Sequence, residues 1–87
     1  MEIIKTEDFI KSFRAVPKPI RHIYDIQEKR FMENWRDPRL HIKKIKGLEH
    51  AFSFRVTRSW RVLFYFQDAD EAIFFEIDHR RDVYRDL

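Results

Sequence analysis

Two hydrophobic periods divide this chain. Between Thr6 and Trp35 apolar residues recur every three or four positions, whereas from Phe52 onward they recur every second position. Phe9, Ile10 and Phe13 form the first helical stripe. Thr6 stands where a helix cap belongs, and Glu7 and Asp8 follow it at the positive end of the helix dipole. Pro17-Lys18-Pro19 stops that helix, because proline lacks the N–H that a helix interior requires, and Pro19 opens the next. Ile20, Ile23, Tyr24, Gln27, Phe31 and Trp35 carry the second stripe to about Trp35, and Asp37-Pro38 ends it. Two helices joined by so tight a turn are expected to pack as a hairpin.

The period-two segments read as strands. Glu2-Ile3-Ile4-Lys5 is a short one ahead of the helices. Phe52, Phe54 and Val56 mark the next, then Trp60, Val62, Phe64 and Phe66, and after a polar break at 67–71 come Ile73, Phe75 and Ile77. The order is β-α-α-β-β-β. It predicts an α+β fold in one domain, residues 1–87, with a helical hairpin packed on one face of a mainly antiparallel four-stranded sheet. Parity then predicts the registers, since a one-residue slip turns a whole face outward. Val56 pairs with Trp60 across the loop Thr57-Arg58-Ser59, which sets Arg55 opposite Arg61 on the other face. Phe66 is expected to pair with Ile73, Phe64 with Phe75 and Val62 with Ile77, placing Asp78 across from Arg61 and Glu76 across from Leu63.

Composition narrows the functional classes. The 87 residues include nine Phe, one Gly and no Cys, so a disulfide scaffold, a thiolate zinc site and a glycine-rich phosphate loop are excluded. His22, His41, His50 and His79 show no metal-ligand spacing, and the expectation is no metal and no cofactor. No apolar run approaches the roughly 20 residues that span a bilayer, and no signal-peptide pattern opens the chain, which predicts a cytoplasmic domain without a membrane partner. The net charge of +3 is unevenly spread: +1 over residues 1–35, +6 over 36–61 and −4 over 62–87. A basic middle third suggests a surface that faces a polyanion, although scattered solvated charge accounts for the composition equally well.

Arg55 and Arg61 sharpen the first alternative. Directly opposed like charges repel, and a fold tolerates them most easily when an anion visits. Arginine suits phosphate because its planar fork donates parallel hydrogen bonds and keeps its charge. The chain then ends in Asp78-His79-Arg80-Arg81-Asp82-Val83-Tyr84-Arg85, which gathers an imidazole, guanidiniums and a phenol at the end of one strand. An RNA 2′-hydroxyl attacking its own phosphodiester needs a proton carrier and positive charge, and needs no metal. His79 is equally well read as a strand-end histidine bonded to backbone, and Tyr84 as an aromatic pinning the tail to the sheet. Of Arg80 and Arg81, one is expected to face the groove and the other solvent.

These residues carry a resemblance. Leu40-His41-Ile42-Lys43-Lys44-Ile45-Lys46-Gly47-Leu48, then Phe54-Arg55-Val56, then Trp60-Arg61-Val62-Leu63-Phe64-Tyr65, and finally the 78–85 tail follow the order of elements in the RelE/ParE toxin superfamily, and the chain resembles that family over roughly residues 40–85. The resemblance implies a toxin of a bacterial type II toxin–antitoxin pair that cuts mRNA on the ribosome and is held by a cognate antitoxin protein. By position it implies a catalytic set of Arg55, Arg61, His79, Arg81 and Tyr84, with Lys43, Lys44, Lys46, Arg58 and Arg80 binding RNA backbone. Ser53 stands where one branch has a second strand lysine. Two other readings remain: a ParE-like inhibitor of DNA gyrase, and an inactive binding module of the same fold.

Overall fold

The computed structural model describes residues 1–79. Its elements are β1 (Glu2–Lys5), α1 (Glu7–Arg14), α2 (Lys18–Glu33), β2 (Lys43–Lys44), β3 (Ala51–Arg55), β4 (Trp60–Asp68) and β5 (Glu71–His79), with a 3-10 turn at Pro38–Leu40. Local chemistry sets the helix ends. The Thr6 hydroxyl accepts the Phe9 N–H at 3.1 Å and starts α1. At the other end Arg21 reaches back from α2 and donates to the carbonyls of Val16 and Arg14, both at 2.8 Å, while its guanidinium lies 5.6 Å from the centre of the Phe13 ring. The last carbonyl of α1, that of Arg14, and the Val16 carbonyl in the turn are thereby satisfied. Rings of Phe13 and Tyr24, 4.9 Å apart, close the expected helical hairpin.

The sheet is five-stranded and mixed, in the order β1-β5-β4-β3-β2, with β1 parallel to β5 and the other pairs antiparallel. The strand beyond the expected four is β2, which pairs Lys43 with Ser53 and Lys44 with Phe52. Two residues of alternating pattern between a turn and a glycine give no periodic signal, which is why this stretch reads as a basic loop in the sequence. The β3–β4 register is the expected one, including Arg55 opposite Arg61. The β4–β5 register follows expectation from Arg61–Asp78 through Leu63–Glu76 and then shifts, so that Phe64 faces Phe74 and Phe66 faces Ala72. The extra residue is Phe75. A bulge there moves Ile73 and Phe75 off the helix side and brings Ala72 and Phe74 onto it, correcting the expected stripe.

The main core lies between the helices and the sheet. Phe31, fully buried on α2, sits 4.9 Å from the Phe64 ring, 5.1 Å from Phe74 and 5.5 Å from Phe54, with near-perpendicular rings in the first two pairs. Edge-to-face aromatic pairs of this kind add to the gain from area burial. Lys5 bridges to Glu28, and the Tyr24 hydroxyl donates to the same carboxylate, tying β1 to α2; burial first, then Glu28, drives the Tyr24 phenol far above its ordinary pKa. Ile23, counted in the helical stripe, is exposed at the edge of that stripe. On the opposite side of the sheet Ile45, Ala51 and Leu63, with Phe75, form a small second cluster.

Deleting the Phe31 ring removes the hub of four aromatic side chains. Phe31→Ala is expected to cost about 3–5 kcal/mol in urea denaturation, whereas Ile26→Ala, at a half-exposed position, should stay within about 0.5 kcal/mol of the parent.

Candidate functional site

On the sheet face opposite the helices the β3–β4 register places Arg55 beside Arg61. The Val56 N–H donates to the Trp60 carbonyl at 2.9 Å, so the next pair inward, Arg55–Arg61, is a non-hydrogen-bonded pair, the kind whose side chains approach most closely. The two arginines differ in environment. Arg61 is only 3% exposed: its Nε donates to the Ser53 hydroxyl at 3.0 Å and its terminal NH2 to the His41 carbonyl at 2.8 Å. Neutral oxygens thus replace the water lost by a permanent charge. Arg55 is half-buried, and its Nε–H is shielded from water with no acceptor among the described residues. A buried donor left unbonded is costly.

The surrounding backbone is held by a single side chain. Gln27, buried in the middle of α2, donates from Nε2 to the carbonyls of Arg55 at 2.7 Å and Arg39 at 3.0 Å, and its Oε1 accepts from Arg30 at 2.9 Å. Gln27 and Arg61 therefore grip the segment between the 3-10 turn and β2 from two directions. That segment turns through His41, whose left-handed φ of 48° aims its carbonyl at Arg61. Asp37 starts the turn, accepting the Arg39 N–H at 2.9 Å and pairing with the Arg39 guanidinium at 2.7 Å; the guanidinium first, then the N–H, lower its carboxyl to about 2.

The other anticipated residues are dispersed. Lys43 shares a face with Ser53 and the arginines, while Lys44, paired with Phe52, projects to the helix side; Lys46 lies in the turn with Gly47, and Arg58 in the exposed β3–β4 loop. His79 departs from the expected convergence. It pairs with Trp60, and the two rings meet edge to face at 5.5 Å, on the side of the sheet away from Arg55 and Arg61. Strand alternation is the reason, because Asp78 takes the arginine side and its neighbour must take the other. Arg80, Arg81 and Tyr84 lie outside the described residues. Sequence reasoning overlooked Gln27 and the His41 carbonyl as parts of the site. Gln27 carried a signal, being the polar member of an otherwise apolar inward stripe, whereas a backbone carbonyl carries none. Among the described residues no cluster of His, Asp and Glu is suited to hold a metal ion, and no helix is long and apolar enough to cross a membrane.

This arrangement of two helices on a five-stranded mixed sheet is the fold of the RelE, YafQ and YoeB/ParE toxins. The chain is similar to a chain of the RelB–RelE antitoxin–toxin complex from Methanococcus jannaschii, with 24% identity over 94% of this chain and 95% of that one and a TM-score of 0.76. YafQ from Escherichia coli matches at a TM-score of 0.78 with 9% identity, covering 95% and 97% of the two chains. A YoeB/ParE toxin from Agrobacterium tumefaciens matches at 0.74 with 10% identity, covering 91% and 98%. No protein-family model and no curated protein matches the sequence.

The Asp37 cap gives the site region a pH dependence of known sign. A carboxyl lowered from 3.8 to about 2 stabilises the fold fully above pH 3.8, and the contribution is lost as pH falls through 2. In thermal melts the advantage of the parent over Asp37→Asn should be constant at neutral pH, shrink below pH 3.8 and vanish near pH 2.

Proposed function

We propose that this chain is the toxin of a type II toxin–antitoxin pair, a cytoplasmic ribosome-dependent endonuclease that cleaves mRNA without a metal. The observation that carries the reading is the Arg55–Arg61 pair: two arginines directly opposed on one sheet face, Arg61 bonded to Ser53 and the His41 carbonyl and Arg55 with an Nε–H that has no acceptor among the described residues. In the proposed reaction the RNA 2′-hydroxyl attacks the adjacent phosphorus and the bond to the 5′-oxygen breaks, leaving a 2′,3′-cyclic phosphate and a 5′-hydroxyl end. Arg55, with the positive field of Arg61 behind it, offsets the charge that builds on the phosphorane oxygens. Arg81 and Tyr84 are assigned to the same phosphate, and Lys43, Lys46, Arg58 and Arg80 hold the RNA backbone through charge alone; His79 and Lys44, on the helix side of the sheet, take no part at this phosphate. An antitoxin partner is supported by structural neighbours that were crystallised as antitoxin–toxin complexes, RelB with RelE and DinJ with YafQ.

One observation favours a second reading, a ParE-like inhibitor of DNA gyrase that binds without cutting. His79, the proton carrier expected from the sequence, is turned toward Trp60 and away from the arginines.

Induced expression followed by mapping of mRNA 5′ ends separates the two. Cuts at codon spacing are expected, falling on the order of 100-fold in Arg55→Ala and in Tyr84→Ala, with growth restored in both and the melting temperature of Arg55→Ala close to the parent. Undiminished cutting by the double variant would reject the site. DNA damage without mRNA cuts would establish the gyrase reading instead.

A further inference from the structure

We propose that Gln27 is the positioning residue of this site, its buried amide fixing the Arg55 carbonyl and so the place of the Arg55 guanidinium. The inference rests on the endonuclease reading above. It starts from a gap in the sheet. Because Arg55–Arg61 is a non-hydrogen-bonded pair, the Arg55 carbonyl points away from β4, toward the side where β2 would lie. β2 ends at Lys43, opposite Ser53; continued in register, the residue facing Arg55 would be His41. The chain has instead turned away through Pro38–Leu40 and the left-handed His41. Among the described residues the Arg55 carbonyl has no strand partner on that side, and Gln27 Nε2 donates to it at 2.7 Å while its second proton holds the Arg39 carbonyl at 3.0 Å.

Packing alone gives no reason for an amide here. Gln27 is 4% exposed, and its neighbours on the same stripe, Tyr24 and Phe31, belong to the aromatic core. A leucine would fill a similar volume without the cost of desolvating a primary amide. What the amide adds is a three-way tie among α2, the end of β3 and the segment that Arg61 grips from below through His41. Val56 and Thr57 tie the end of β3 to Trp60 on its β4 side, and Gln27 holds the Arg55 carbonyl on the other side, so the amide fixes the edge of the strand from which the Arg55 guanidinium projects.

The test is a double-mutant cycle on cleavage of mRNA by programmed ribosomes. Gln27→Leu is expected to lower kcat on the order of 10–100-fold with little change in the KM for ribosomes, the scale of a misplaced catalytic group. Added to Arg55→Ala, it should cause no further loss, because a residue that acts through Arg55 has nothing left to position. Losses that multiply would overturn the inference and leave the endonuclease reading standing. Full activity in Arg55→Ala by itself would remove both. Should Gln27→Leu fail to fold, the parent protein still answers: on titration with a short single-stranded RNA, the Gln27 side-chain amide resonances should shift together with the Arg55 Nε–H. An Arg55 signal that moves while the Gln27 amide stays fixed would overturn the proposal.

Discussion

The antiparallel register of β3 against β4 sorts two incompatible sets of side chains in a single step. Phe52 faces Phe64 and Phe54 faces Val62 on the helix side, while Ser53 faces Leu63 and Arg55 faces Arg61 on the other. A slip of β3 by one residue would drive Arg55 among the rings of Phe31, Phe64 and Phe74 and expose Phe52 and Phe54 to water. Burying unpaired guanidiniums in an aromatic core costs far more than any cross-strand repulsion between them. The core therefore dictates the arginine pair: the chain cannot have one without the other.

The repulsion that this register imposes is resolved asymmetrically. Arg61 sinks into the protein and turns to Ser53 and the His41 carbonyl, while the Arg55 Nε–H finds no acceptor among the described residues. Such a division suits a site that must hold a charge in place before its ligand arrives, since one arginine is braced by the scaffold and the other is left for the anion. The brace extends into α2, whose buried face contributes both the aromatic hub at Phe31 and the amide of Gln27. One helix thus connects the stability of the molecule to the geometry of its polar face.

Structural relatives at 9% to 24% identity share the fold of two helices on a mixed sheet. Many different sequences can satisfy one pattern of apolar positions and so reach one fold. Fold by itself does not transfer chemistry, which is why the functional reading rests on the arginines and their bonds.

The helices, β3, β4 and the Arg55–Arg61 opposition were legible in the sequence because each follows from local periodicity and parity, properties that neighbouring residues impose on one another. The resemblance over residues 40–85 was legible for the same reason, as a run of short segments in order. Three features were decided only in the folded molecule. The bulge at Phe75 exchanged the faces of residues 72–75 and brought Phe74 against Phe31, an outcome that depends on contacts with a distant helix and not on local alternation. The strand β2 exists because β3 offers it an edge. And the backbone carbonyls that Arg61 and Gln27 reach, lying 12 to 28 residues away along the chain, have no letter in the sequence, so only the three-dimensional path of the chain could bring them within reach.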